Sequence, residues 1–276
     1  MDYFKINEPT CISFSGGRTS AYMLWRVLQS NGGSLPDDAI VCFANTGKED
    51  EATLRFVQRC SDEWSVPITW LEYNIDAQRY SIVNFEKASR NGEPFEQVIK
   101  KKNYLPNAVT RFCTIELKIR PMAKYLVDIG MADTKPDGEN MSMIGIRADE
   151  PMRAAKIADK GRIPLFFAGV TKQEVGEFWL SQPFDLELPN MNGVTMHGNC
   201  DLCFMKGASQ ILSLIAEKPE RAIWWARMES SALASKPDGA RFRNDRPSYQ
   251  QMLTFTEQQR SMFDDDIDVV ACFCGD

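Results

Sequence analysis

Short apolar runs alternate with segments of helical period through the first half of the chain. Thr10-Cys11-Ile12-Ser13-Phe14 predicts a strand, and Ala39-Ile40-Val41-Cys42-Phe43-Ala44 is a continuous apolar run of the kind carried by central parallel strands. Pro67-Ile68-Thr69-Trp70-Leu71 and Ser142-Met143-Ile144-Gly145-Ile146 read as two more. Between these runs, Thr19 to Gln29 carries enough apolar residues (Tyr22, Met23, Leu24, Trp25, Val27, Leu28) for a helix buried on more than one side. Glu51 to Trp64 sets Leu54, Val57 and Trp64 on one helical face. Phe95 to Lys102 predicts a helix, as does Ile115 to Ile129, which Pro121 should kink or split. Lys172 to Leu180 predicts another. Strand and helix alternating at this spacing imply a parallel sheet with right-handed crossovers.

From about residue 190 the pattern changes. Strand signals fade, helices are predicted over Ser209–Glu217 and Glu220–Ser230, and Ser235-Lys236-Pro237-Asp238-Gly239 is a turn-rich break. The expectation is an α/β domain over residues 1–190, followed by a helical, cysteine-bearing part over residues 191–276. A length of 276 residues, 43% hydrophobic and 25% charged, suits such a division and excludes disorder, collagen-like repeats and a coiled coil. The longest apolar stretches, such as Ile163 to Val170, are far shorter than the roughly 18 residues needed to span a bilayer, so no membrane partner is expected. Met1-Asp2-Tyr3-Phe4-Lys5 lacks the basic start and apolar core of a secretory signal, so a cytoplasmic location is expected.

A net charge of −6 argues against wholesale coating of nucleic acid but leaves room for a local basic groove. Lys100-Lys101-Lys102 and Arg241-Phe242-Arg243-Asn244-Asp245-Arg246 are the segments that would reach a nucleic-acid acceptor, the second by interleaving an aromatic with cations. The plainer reading, solvated surface charge, is favoured. Trp224-Trp225 read as packing residues of a helix.

The eight cysteines divide into two groups. Cys11, Cys42 and Cys60 lie in apolar, periodic surroundings and read as small buried hydrophobes. Cys113, the Cys200-x-x-Cys203 pair, and Cys272 with Cys274 near the end of the sequence carry the chemical potential. A Cys-x-x-Cys aims two thiolates at one centre, and two thiolates from elsewhere would complete a four-cysteine site for tetrahedral zinc or a [4Fe–4S] cluster alike. His197, the one histidine, stands three residues before Cys200.

Ser15-Gly16-Gly17-Arg18-Thr19-Ser20 joins the first predicted strand to the first predicted helix. Two glycines let the backbone approach a ligand, the helix adds the positive end of its dipole, and Ser15, Thr19 and Ser20 add hydroxyls. Together they favour a phosphate or pyrophosphate. The alternative is a plain glycine turn with Ser or Thr capping the helix, which needs no ligand.

Strand, Ser-Gly-Gly-x-Thr-Ser and helix in this order resemble the PP-loop of the adenine nucleotide alpha hydrolase-like superfamily. The surrounding motifs resemble the phosphoadenosine phosphosulfate reductase family in particular. Asn45-Thr46-Gly47-Lys48-Glu49 is similar to its Thr-Gly-x-Glu segment, and Arg111-Phe112-Cys113-Thr114 with Lys118 and Pro121 to its Arg-x-Cys-Thr segment. Gly145-Ile146-Arg147-Ala148-Asp149-Glu150-Pro151-Met152-Arg153 is similar to its Gly-x-Arg-x-x-Glu-Ser-x-x-Arg segment, with Pro151 in place of Ser. Cys200-x-x-Cys203 stands where cluster-bearing members carry their second cysteine pair.

The resemblance implies a doubly wound, Rossmann-like core with an adenine nucleotide at the sheet's C-terminal edge. Its phosphates would lie on residues 15–20 and its base near residues 44–47, with Asn45, Thr46 and Gly47 as site residues. Glu49, Gly145 and Glu150 complete the implied nucleotide site, with Arg111, Lys118, Arg147 and Arg153 meeting anionic groups. It also implies a [4Fe–4S] cluster, with zinc as the alternative, on Cys113, Cys200, Cys203 and Cys272. Phe112-Cys113-Thr114 supplies one cysteine where cluster-bearing reductases pair two, which leaves a fourth ligand to come from Cys272 or Cys274. Cys274-Gly275 matches the family's C-terminal nucleophile but lacks the neighbouring Glu and final His.

The leading expectation is an iron–sulfur enzyme that cleaves ATP between its α- and β-phosphates, with Mg²⁺ if required, and passes sulfur from a donor protein to an acceptor. Arg111 and Arg147 would stabilise charge in that reaction. The alternatives are a thiol-dependent sulfonucleotide reductase using Cys274, and a non-catalytic nucleotide-binding module with a structural zinc.

Overall fold

The computed structural model describes residues 1–132, 142–157, 162–191, 194–198, 200–233 and 240–264. Their contacts divide them into two units, one of residues 1–102 with 111–201 and one of residues 103–110 with Leu202 onward. Residues 191–201 therefore go with the first unit, to which the Asp201 amide binds through the Lys48 carbonyl at 2.7 Å and the Asp201 carboxylate through Lys48 Nζ at 3.0 Å.

In the first unit the chain runs β1 (Thr10–Phe14), α1 (Arg18–Ser30), β2 (Ala39–Asn45), α2 (Glu51–Glu63), β3 (Ile68–Glu72), β4 (Ser81–Val83) and α3 (Glu93–Lys102). A helical stretch follows as α4 (Phe112–Thr114), a π-helical turn (Ile115–Ile119) and α5 (Arg120–Asp128). Then come β5 (Ser142–Ile144), the short helices α6 (Pro151–Ala154) and α7 (Pro164–Phe167), α8 (Lys172–Ser181), and the two-residue strands β6 (Asn190–Met191) and β7 (Val194–Thr195).

The sheet order is β4-β3-β2-β1-β5, parallel except for the edge strand β4. Because successive side chains alternate between faces, Ile12, Phe14, Val41, Phe43 and Trp70 pack with the apolar residues of α1, α2 and α8. Cys11, Cys42 and Leu71 point the other way, onto Tyr125 and Leu126 of α5. Helices thus cover both faces, which is why these strands read as unbroken apolar runs. Cys11, Cys42 and Cys60 are fully buried. A hydrogen bond from Cys11 and then burial hold the Cys42 thiol well above its ordinary pKa, and burial does the same for Cys60, so these three remain packing residues.

Pro121 does not split its helix. It lacks an N–H to give the Leu117 carbonyl, and the widened π-helical turn just before it absorbs the mismatch while the backbone stays right-handed helical through Ile119 and Arg120 into α5.

The second unit contains α9 (Ala208–Glu217), α10 (Glu220–Leu233) and α11 (Tyr249–Asp264). Its core centres on Trp225, which stacks on Tyr249 at 5.3 Å and meets Phe242 edge-on at 4.9 Å. Phe242 is fully buried, so it offers no face to a nucleobase. Its cationic neighbours are engaged locally, Arg243 with Asp245 and Arg246 with the Lys206 carbonyl. Trp224 and Trp225 are buried as packing residues.

Glu229 of α10 is buried and accepts the Tyr249 amide at 2.9 Å and the Phe242 amide at 3.2 Å, joining the helix to the segment before α11. Burial raises its pKa above the ordinary 4.5, although both amides work in the opposite direction. The folded chain therefore holds this proton more tightly than the unfolded chain. Glu229's contribution to stability is full below pH 4.5 and is lost as pH rises through the raised folded value. The urea midpoint of the wild type should fall across that window relative to Glu229→Gln; parallel pH profiles for the two proteins would assign the dependence to other groups.

Candidate functional site

The sheet order reverses beside β1: β2 and β3 follow on one side, and β5 returns on the other. In an open sheet of parallel strands, ligands bind at such a reversal, beyond the strands' carboxyl ends. The turn after β1 and the turn after β5 meet there. A Cβ on Gly145 would stand 3.2 Å from Ser20 Cα, so any larger residue would push the two turns apart by a few tenths of an ångström.

The turn after β1 is held from within. Ser20 Oγ accepts the Ser15 amide at 3.1 Å, pairs with Ser15 Oγ at 2.9 Å and donates to the Gly17 carbonyl at 2.9 Å. Gly16 has φ +74°, and a Cβ there would lie 2.6 Å from Thr53 Cγ2. α1 opens on Gly17 with no side-chain cap and no acidic residue in its first turn. The serines and threonine of the loop thus leave its helix-start amides without a capping oxygen.

These groups line a cleft of about 320 Å³. Ser15, Gly16, Gly17, Arg18 and Thr19 supply one side, and Gly145, Arg147, Glu150 and Arg153 come from the turn after β5. Glu49 and Lys118 also line it. Five cations, Arg18, Lys118, Arg147, Arg153 and Lys172, line the cleft beside two carboxylates, Glu49 and Glu150.

Arg147 bridges the reversal. Nη1 donates to Thr19 Oγ1 at 3.1 Å, while Nε and Nη2 reach the Asp149 carboxylate at 2.8 and 3.2 Å. Arg147 accordingly holds the Asp149 carboxyl below its usual pKa. Arg153 Nη1 donates to Glu150 at 2.9 Å. Lys118 Nζ stands 3.7 Å from Glu49.

Several residues expected to touch a nucleotide instead build the frame. Asn45 and Thr46 are buried and do not line the cleft, nor does Gly47. Asn45 Nδ2 donates to Glu72 at 2.6 Å and to the Ser89 carbonyl at 2.9 Å, and Thr46 binds Glu49 through its amide and hydroxyl. Gly47, at φ +77°, is overlaid by Gly92 and Pro94. Ser20 is buried beneath the turn it shapes. Arg111 is exposed at the start of α4 and does not line the cleft.

Lys172, Leu186, Asn190 and Thr195 line the cleft but stand in no recognisable motif. The one signal near them is Thr171-Lys172-Gln173-Glu174, a capping box that marks the start of α8 and brings Lys172 in with it.

Cys113, Cys200 and Cys203 are partly exposed. Cys200 Sγ lies 3.5 Å from Thr46 Oγ1, and residue 200 pairs by a β-bridge with Glu49. Among the described residues no three His, Cys, Asp or Glu side chains gather as a metal centre requires. Cys272 and Cys274 lie outside the described residues. Cys113, Cys200 and Cys203, the described members of the expected ligand set, do not by themselves make such a centre. Among the described residues no helix is long and apolar enough to cross a membrane.

The uncharacterized nin region protein ORF290 of Escherichia phage lambda is 33% identical over 209 residues, covering 72% of this chain and 67% of the phage protein. The chain belongs to the family of that phage protein. A second relative, the uncharacterized protein MJ0066 of Methanocaldococcus jannaschii, is 26% identical over 153 residues, covering 55% of this chain and 26% of the archaeal protein. No protein-family model matches the chain.

Proposed function

We propose that the cleft holds the phosphates of an adenine nucleotide and that this member of the phage family is a PP-loop enzyme of sulfur chemistry, akin to the phosphoadenosine phosphosulfate reductases. One observation supports this reading above the others. Where the strand order reverses, an uncapped 13-residue helix start and a cluster of side-chain cations open onto the same cleft. Backbone amides and guanidinium groups in that arrangement suit a polyphosphate. The strand order β3-β2-β1-β5 with helices on both faces agrees with a doubly wound nucleotide-binding core.

In the leading form of the reaction, ATP is cleaved between its α- and β-phosphates, an acceptor is adenylated and a sulfur nucleophile displaces AMP. Loop amides, Lys118, Arg147 and Lys172 bind and orient the leaving pyrophosphate and offset its charge. A sulfonucleotide reductase is the second reading, and the occupied carboxylates favour it. Glu49 is bound to Thr46 and Asp149 to Arg147, and Thr19 faces Arg147. This leaves the site better supplied with cations for a phosphosulfate than with ligands for Mg²⁺.

Product analysis of anaerobically purified protein, with iron and zinc measured on the same sample, tests the proposal. Pyrophosphate and AMP from ATP support the first reading, and sulfite from a phosphosulfate nucleotide plus a thiol supports the second. Tight ATP binding with neither product would reduce the protein to a nucleotide-binding module. No nucleotide binding at all would overturn the proposal.

A further inference from the structure

Arg18 directly follows the two loop glycines, where an arginine invites a phosphate-binding role. Its guanidinium is committed elsewhere. Nε and Nη2 donate to the two carboxylate oxygens of Asp185, each at 2.7 Å. Nη2 also reaches the Leu186 carbonyl at 2.5 Å, and Nη1 donates to Thr195 Oγ1 at 3.0 Å. The arginine side chain is 11% exposed and the Asp185 side chain 41%, so the guanidinium end of the fork is buried while its carboxylate partly faces solvent. The main chain of the same residue is engaged too, its carbonyl accepting Trp179 Nε1 at 3.0 Å.

The segment tied down in this way forms part of the cleft wall through Leu186, Asn190 and Thr195. It has little regular structure of its own beyond the two-residue pairing of β6 with β7. A guanidinium that left Asp185 for a phosphate would give up its bonds to a carboxylate, a carbonyl and a hydroxyl together.

We infer that Arg18 is a positioning residue rather than a phosphate ligand: its forked bonds to Asp185 and Thr195 fasten the wall carrying Leu186, Asn190 and Thr195 to the start of α1 and so complete the nucleotide site. The inference rests on the nucleotide reading above. It also implies that anion binding falls to the loop amides, Lys118, Arg147 and Lys172.

The two possible roles of Arg18 give opposite results at Asp185. If Arg18 binds phosphate, Asp185→Asn removes its competitor, and ATP binds as well as before or better. If Arg18 fastens the wall, Asp185→Asn weakens ATP about tenfold or more, the value of one charge-assisted bond. Adenosine, which has no phosphate, should weaken by a similar factor.

The experiment titrates ATP and adenosine into the full chain as wild type, Asp185→Asn, Asp185→Glu and Arg18→Lys, and follows hydrogen exchange in the peptide around residues 183–191. The expected result is parallel loss of both ligands and faster exchange in Asp185→Asn and Arg18→Lys. Asp185→Glu, which keeps the carboxylate, should recover most of the affinity, and does so whether or not the Asn variant folds fully. Undiminished ATP affinity in Asp185→Asn, or an Arg18→Lys loss confined to ATP, would overturn the inference while leaving the nucleotide reading intact. A wild type that binds neither ligand would overturn both.

Discussion

Gly17→Val should abolish measurable nucleotide binding while the protein stays folded. The position tolerates a side chain sterically: its φ is −109°, and an added Cβ would meet only Ser15 Oγ, at 3.7 Å. Gly17 caps α1, so valine weakens the helix start by about 1 kcal/mol or less relative to glycine. The larger effect falls on the ligand. A branched side chain on the cleft floor separates the phosphates from the helix-start amides, and two charge-assisted contacts are each worth about 1.5–3 kcal/mol. Affinity should therefore drop by at least about a hundredfold, read by calorimetric titration of ATP beside a thermal melt.

Gly16 provides the contrast. Its left-handed φ of +74° and the 2.6 Å approach to Thr53 Cγ2 make even Gly16→Ala a folding defect, of about 2–4 kcal/mol from strain and overpacking. If the proposed nucleotide site is right, the two adjacent glycines serve different ends, one the turn and one the ligand. Equal melting temperatures for Gly16→Ala and the wild type, or undiminished ATP affinity in Gly17→Val, would contradict this division.

That difference was invisible in the sequence, where Gly16 and Gly17 are one motif. What the residues did make legible was the frame. The apolar run 39–44 became β2 because both faces of the sheet are covered, and the stripe of Thr19–Gln29 became α1 against the same core. Ser81–Val83 escaped notice because an edge strand of three part-exposed residues carries no alternation to detect. α11 escaped for another reason. Tyr249, Met252, Leu253 and Thr256 do form a buried stripe at helical spacing, but its last member is polar and the exposed Phe255 blurs it.

At the site, the loop glycines, Lys118, Arg147, Glu150 and Arg153 were named from motifs and do line one cleft. Local pattern conveyed their identity but not the state of their charges. The pairing of Arg18 with Asp185 was illegible because the two lie 167 positions apart and only folding brings them together. The inward bonds of Asn45 to Glu72 and of Thr46 to Glu49 were illegible too, because a strand end can point polar groups inward as readily as toward a ligand.

The turn after β1 is also anchored from the core, and Trp179→Ala should show this with a larger stability loss than Gly16→Ala. Trp179 is 3% exposed and meets Phe56 at 5.0 Å, Phe184 at 5.6 Å and Phe178 at 5.0 Å, all edge-on. Removing such a ring costs about 3–5 kcal/mol in burial and cavity terms, a large share of a domain's margin, and the urea midpoint should fall accordingly. The indole also donates to the Arg18 carbonyl in the first turn of α1, so the same cluster that fills the α2–α8 interface bears on the helix start beneath the ligand. Trp179→Phe separates the two contributions. It retains most of the ring contacts and deletes the N–H, which should cost about 1 kcal/mol of stability while weakening ATP binding through a less firmly held first turn. If that variant binds ATP like the wild type, the indole hydrogen bond supports the fold alone, and the wall fastened by Arg18 and Asp185 must position the loop without help from the core.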